Sequence, residues 1–188
     1  MKKRSFQLQY NSPVILSFAL ISLGALLLNM VTAGASNKLL FSVYRSSLGD
    51  LLTYPRFLLH VLGHKNYAHY IGNMMLMLVI GPPMEEKYGG RSLLWAIAVT
   101  ALVSGVVHWL FFPGVRLLGA SGIVFMLIVM SSLSGMKDGC IPLTLVLVLV
   151  LYIGGEVVGG LTLSDNVSQL THVIGGLCGA FLGLSLRK

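Results

Sequence analysis

The feature that most constrains this chain is a series of long apolar stretches separated by polar segments. Each stretch is roughly 18–22 residues long, which matches the ~20 residues that an α-helix needs to cross a bilayer core of about 30 Å. Charged residues make up only 10% of the 188 residues, and the mean hydropathy is +0.84. Because a soluble domain carries about 25% charged residues, the sequence predicts an all-α polytopic membrane protein.

We predict a single domain, residues 1–188, with six membrane-spanning helices and one long outer loop, residues 35–65. The first apolar stretch is longer than the 7–15-residue core of a signal peptide, which favours an uncleaved first helix. The predicted spans are residues 13–34, 66–84, 91–112, 119–136, 140–160 and 166–186.

The basic residues predict the orientation and the environment. With the N-terminus inside, more lysines and arginines lie inside than outside, and most of the outer ones fall in the long loop, where the bias is weaker. We therefore expect a multi-pass plasma-membrane protein with both termini in the cytoplasm. Membrane sorting and lipid headgroups account for the formal charge of +7, so we expect the lipid bilayer as a partner and no nucleic acid.

Four polar side chains lie inside apolar spans, where such groups are costly and are candidates for function. His69 and Asn73 are four residues apart and share one face of the second span. Ser121 begins the fourth span, and His172 lies in the second turn of the sixth. Because these three spans run in the same direction, all four side chains are predicted to lie about 5–10 Å below the outer boundary.

This combination of side chains suits nucleophilic catalysis. A neutral His172 imidazole within reach of the Ser121 hydroxyl can take its proton during attack on a carbonyl group. The resulting oxyanion needs hydrogen-bond donors, for which the Ser121 backbone N–H, the Asn73 amide and a ring N–H of His69 are candidates.

Glycines leave room around these residues. Two flank Ser121, and three form a GxxxGxxxG stripe on the face of the sixth span that carries His172. Such a stripe lets another helix approach closely, and if that helix is the fourth span, His172 is carried to Ser121. The glycines are Gly119 and Gly122 beside the serine, and Gly175, Gly179 and Gly183 in the stripe.

Each signal alone also has an ordinary structural explanation. Small residues in membrane helices usually serve packing, and a single buried histidine or asparagine is as often a bond between helices as a catalytic group. The shared depth of the four polar residues favours catalysis. His60, His64 and His69 lack an adjacent carboxylate or cysteine to complete a metal site, so we expect no metal and no cofactor.

Together these segments resemble the rhomboid family of intramembrane serine proteases. "RFLLHVLGHKNYAHYIGN" resembles the family's first-loop arginine and histidine-rich run, "GASG" resembles its GxSG motif, and "THVIGGLCG" resembles its AHxxGxxxG motif. The resemblance runs from Arg56 to Gly183 and implies the basic six-helix rhomboid-like bundle of bacteria.

The resemblance also implies an activity. The chain would be a serine endopeptidase that cleaves peptide bonds in or near transmembrane segments of membrane proteins, with Ser121 as nucleophile and His172 as base. His69 and Asn73 would line the oxyanion site. The alternatives are an inactive rhomboid-like scaffold that binds membrane clients and a small transporter, although the chain lacks the paired broken helices of transporters.

Other positions match or depart from the family pattern. Arg56, His60 and His64 match first-loop positions with a structural or lipid-facing role, and Glu85 resembles a carboxylate at the inner end of the second span. Phe125 stands where the family usually has a tyrosine that stacks on the catalytic histidine, so stacking is expected without the hydroxyl. The fifth span would be the substrate gate, and "GGEVVGG", around Glu156, would supply its flexibility.

Overall fold

In a computed structural model, the residues described are 9–135, 140, 143–144, 146–147, 150 and 166–186. The regular structure in these segments is helical. It comprises α1 (Pro13–Val31), α2 (Ala35–Leu39), α3 (Thr53–Leu59), a 3₁₀ turn (His60–Leu62), α4 (Tyr67–Tyr88), α5 (Gly90–Phe111), α6 (Ser121–Ser134) and α7 (Asn166–Ser185).

The helices confirm the predicted all-α class, and five of the six predicted spans contain a long helix. Of these helices, α1 and α5 are long and apolar enough to cross a membrane. The fifth predicted span, 140–160, lies almost entirely outside the described residues, so the count of six stays a prediction. Helix α4 continues through Pro82 and Pro83 to Tyr88, four residues beyond the predicted end of the second span at residue 84.

Helix α6 forms the centre of the described bundle. It packs against α4, α5 and α7, and nine of its 14 residues are buried. A helix that is apolar on all sides is stable only when other helices surround it. At ~1.5 Å per residue this 14-residue helix is about 21 Å long, shorter than a bilayer core of about 30 Å.

Glu85 joins the end of α4 to the beginning of α1. Its two carboxylate oxygens accept hydrogen bonds from the backbone N–H groups of Val14 (2.9 Å) and Ile15 (3.0 Å). The first amides of a helix have no partner within the helix, and a carboxylate there also interacts favourably with the helix dipole. The buried Glu85 therefore caps α1 at the end of the bundle opposite to the start of α6.

The long first loop is folded tightly onto the bundle. The buried Arg56 donates from Nε to the Leu39 carbonyl (2.8 Å) and forms an ion pair with Asp50 (2.9 Å). His60 donates from Nε2 to the Ala101 carbonyl of α5 (3.0 Å), and His64 donates from Nδ1 to the Leu62 carbonyl (3.1 Å). These contacts agree with the structural role that the resemblance implied for Arg56, His60 and His64.

The buried loop histidines make folding sensitive to acid. Burial lowers the pKa of His60 to about 4, and burial together with nearby His69 lowers the pKa of His64 to about 4. An unfolded histidine has a pKa of about 6.5. The stability that these neutral rings contribute is therefore fully present above pH 6.5 and is lost as the pH falls toward 4.

We expect the thermal unfolding midpoint in detergent to fall by on the order of 5 °C or more between pH 7 and pH 4.5. A double variant, His60→Gln with His64→Asn, keeps a donor near each present position but cannot take up a proton in this range. Its midpoint should change clearly less over the same pH range. An equally steep pH dependence in the double variant would contradict the assignment to these rings.

Candidate active site

The segment that leads into α6 is held in place by three other parts of the chain. Leu117 and Val43 exchange both backbone hydrogen bonds (2.9 Å each) in an isolated antiparallel bridge. The Gly119 N–H donates to the His60 carbonyl (3.0 Å), and His108 of α5 donates from Nε2 to the Val115 carbonyl (3.0 Å). The residues before Ser121 therefore have a fixed backbone path.

Only glycine fits both the backbone conformation and the surroundings at position 119. Its φ is +127°, in the region that other residues avoid. A Cβ atom built on Gly119 would lie 2.8 Å from both Cε1 and Nε2 of the His69 ring. The missing side chain thus lets the imidazole of His69 lie directly against the backbone two residues before Ser121.

Ser121 is the first residue of α6, and it is half-buried. The first N–H groups of a helix have no carbonyl partner within that helix, and the positive end of the helix dipole lies there. The backbone N–H of Ser121 therefore suits a developing negative charge close to its own hydroxyl group.

His69 and Asn73 are held in a defined relation to each other. Asn66 begins α4 by accepting a hydrogen bond from the His69 N–H (2.9 Å), and the Lys65 N–H donates to His69 Nδ1 at 3.5 Å. An Nδ1 that accepts leaves the proton of the neutral ring on Nε2, the nitrogen facing Gly119. Asn73 donates from Nδ2 to the His69 carbonyl (3.1 Å), and that nitrogen carries a second hydrogen.

The glycine stripe of α7 packs directly on the backbone of α6. A Cβ atom on Gly175 would collide with the carbonyl oxygen of Gly122, and one on Gly179 would lie 2.5 Å from that of Met126. Helix α6 is thus the helix that the stripe meets, which is the condition under which the sequence brings His172 to Ser121. His172 precedes Gly175 by three residues, so it lies on the face of α7 toward the first turn of α6.

His172 is buried, and its ring lies near the ring of Phe125, with 6.2 Å between the centroids. The planes are inclined by 49°, so the two rings contact each other at a tilt. Such inclined ring contacts are ordinary for aromatic pairs at this distance. Next to His172, the Thr171 methyl group would lie 3.1 Å from a Cβ on Gly122, which brings α7 against α6 one residue after Ser121.

The predicted site residues therefore approach the Ser121 backbone from two sides. His69 and Asn73 of α4 lie beside Gly119, the residue two before the serine, and the segment of α7 with His172 lies beside Gly122 and Phe125. Glu156 and the fifth span lie outside the described residues. Within the described segments, no group of three or more His, Cys, Asp and Glu side chains lies close enough to hold a metal ion.

Some residues that shape the site were missed from the sequence. His108 is not among the predicted site residues, but it is buried and holds the loop before α6 at Val115. Val43 and the His60 carbonyl contribute through backbone groups. The type of side chain does not indicate such backbone hydrogen bonds. His108 itself could have been considered from the sequence, because it is a polar ring near the end of an apolar helix.

Comparison with known proteins agrees with this arrangement. Residues 52–188 match the sequence model of the Rhomboid domain. The chain belongs to the rhomboid family. It is also similar to Rhomboid-like protein 11, chloroplastic, from Arabidopsis thaliana, with 28% identity over 66% of this chain and 50% of the relative. The chain spans about half the length of that relative. Family membership accounts for the membrane-embedded helices and for the order of the motifs in this rhomboid.

The packing of α7 on α6 can be tested with two matched glycine substitutions. Gly179→Ala puts a methyl group 2.5 Å from the Met126 carbonyl, whereas Gly183→Ala meets Met130 and Leu133 at an ordinary 3.5 Å. We expect Gly179→Ala to destabilise the fold by about 1–3 kcal/mol, as overpacking does, and Gly183→Ala to be tolerated. The unfolding midpoint in detergent measures both, and equal effects of the two would contradict the backbone contact.

Proposed function

We propose that this rhomboid is an intramembrane serine endopeptidase that hydrolyses peptide bonds in or near the transmembrane segments of other membrane proteins. The observation that carries the proposal is the two-sided approach to Ser121. Donors of α4 lie beside Gly119, and the histidine-bearing face of α7 lies against Gly122 and Phe125. A packing motif alone gives no reason for polar groups from two other helices to meet the same turn.

The proposed reaction starts with proton transfer. His172 takes the proton of the Ser121 hydroxyl while the oxygen attacks the carbonyl carbon of the scissile bond. The negative charge that develops on the carbonyl oxygen is stabilised by the Ser121 N–H, the His69 Nε2–H and the second Nδ2 hydrogen of Asn73. His172 then gives its proton to the leaving amine, and the C–N bond breaks to leave an acyl ester on Ser121.

Water completes the cycle. His172 takes a proton from a water molecule that attacks the ester, and the proton returns to the Ser121 oxygen when the acid product leaves. No metal or cofactor enters these steps. Since a helix shields its own peptide bonds, substrates should carry helix-destabilising glycine or proline near the cleavage point.

An activity-based probe tests the proposed nucleophile. We expect a fluorophosphonate to label the purified protein in detergent, and Ser121→Ala to remove labelling and cleavage of a transmembrane substrate. His172→Ala should slow both by ~10² or more, the usual contribution of a general base. Ser132→Ala is the matched control, because the hydroxyl of this half-buried serine of α6 donates to the Ile128 carbonyl of its own helix (3.0 Å).

The same experiment separates protease from scaffold. A wild-type protein that is neither labelled nor able to cleave transmembrane substrates would refute the protease proposal. It would leave the inactive rhomboid-like scaffold, which binds membrane clients without cutting them. Labelling of Ser121→Ala as strong as that of wild type would show that another residue reacts.

Asn73 provides a finer test of the oxyanion site. We expect Asn73→Ala to lower kcat by up to ~10²–10³ with a smaller change in KM, as removal of an oxyanion donor does. Asn29→Ala is the control, because Asn29 is a half-buried asparagine at the end of α1 that accepts from the Asn37 N–H. An unchanged kcat in Asn73→Ala would remove Asn73 from this role.

A further inference from the structure

An apolar cavity of about 460 Å³ lies between α1 and α5. Phe18 and Ile97 are buried in its wall, while Ile21 and Leu94 line it and are each 56% exposed. The folded first loop borders the same cavity through Leu58, Val61 and Leu62. Protein interiors are close-packed and apolar cavities exclude water, so a groove of this size that opens between two membrane-spanning helices suits a hydrocarbon chain.

A second space with a different lining lies next to the cavity. The two share Pro13, Val14 and Leu94, and the second space has a volume of about 1010 Å³. Its wall includes the polar side chains of Gln9, Asn11, Glu85, Glu86 and Arg91. This polar part lies where α4 ends and α5 begins, at the end of the bundle away from Ser121.

Two exposed charges line the polar part, and neither forms an ion pair with another residue that the structure describes. Among the residues that the structure describes, the one ion pair joins Arg56 to Asp50 in the first loop. Glu86 and Arg91 are both exposed and lie outside it. Glu85 differs, because its carboxylate already accepts from the first amides of α1. One cation, Arg91, and one anion, Glu86, thus line the same space, and within the described part of the chain they do not pair with each other.

We propose that this groove binds one glycerophospholipid with a primary-amine headgroup, its acyl chain in the apolar cavity, its phosphate at Arg91 and its ammonium group at Glu86. The groove has an apolar part followed by a charged part, and a phospholipid likewise has an apolar acyl chain followed by a charged headgroup. A guanidinium group is a strong bidentate donor to phosphate. A primary ammonium has three N–H donors for a carboxylate, whereas a quaternary ammonium has none and an uncharged headgroup lacks the cation.

Native mass spectrometry of the full-length protein tests this binding without reference to proteolysis. The delipidated protein is mixed with detergent micelles that contain equal amounts of dioleoyl phosphatidylethanolamine, phosphatidylcholine and phosphatidylglycerol. We expect one bound phosphatidylethanolamine per chain, retained at least tenfold over each of the other two. Equal retention of the three lipids, or no retained lipid, would overturn the proposal.

Surface variants separate the two ends of the headgroup. Arg91→Gln should lower phosphatidylethanolamine retention at least tenfold, and Glu86→Gln should lower it to the level of phosphatidylcholine, whose retention should not change. Lys38→Gln removes a charge from α2, outside the groove, and should behave as wild type. Unchanged retention in Arg91→Gln would overturn the assigned phosphate position.

A substitution in the apolar part tests the acyl chain. Ala98, a half-buried residue of the wall, is replaced by Phe so that the ring fills the cavity, and lipid retention should fall at least tenfold. If the variant retains as much lipid as wild type and has an unchanged unfolding midpoint, the acyl chain does not occupy this cavity. If the variant does not fold, the Arg91 and Glu86 variants still decide the proposal.

Discussion

The architecture of this rhomboid depends on direct contact between the backbones of α6 and α7. At Gly175 and Gly179, α7 lies against the carbonyl groups of Gly122 and Met126, closer than any side chain permits. In a membrane, where lipid tails are as apolar as side chains, close van der Waals packing of this kind is a main source of helix association. This packing fixes the rotation of α7 about its own axis. Because of that rotation, His172 faces α6 and not the lipid.

The opposite side of Ser121 is fixed by a different kind of interaction. There, hydrogen bonds from the first loop and α5 hold the segment before α6 at Leu117, Gly119 and Val115. Irregular backbone has many unpaired polar groups and is tolerated at membrane depth only where protein or water satisfies them. The elaborate folding of the first loop is therefore coupled to the site, because the His60 carbonyl that accepts from Gly119 belongs to that loop.

The sequence predicted the features that depend on side-chain type and spacing. The long apolar stretches predicted the helices, and the four-residue interval predicted the common face of His69 and Asn73. The glycine stripe predicted a close approach of another helix but did not identify α6 as that helix. The sequence did not reveal the bonds of Val43 or of the His60 carbonyl, because any residue supplies such groups. It also missed the inclination of Phe125 against His172, since ring orientation depends on how neighbouring helices pack and not on the residue itself.

The rigidity of these contacts bears on how a substrate would reach Ser121. A movement of α7 away from α6 would break backbone packing along several turns, and a movement of the segment before α6 would break its hydrogen bonds with three parts of the chain. Both movements would also separate the groups that the proposed reaction needs together. Access is therefore expected from an element outside these contacts. The predicted fifth span with its "GGEVVGG" segment lies outside the described residues, and its role as the gate stays a prediction.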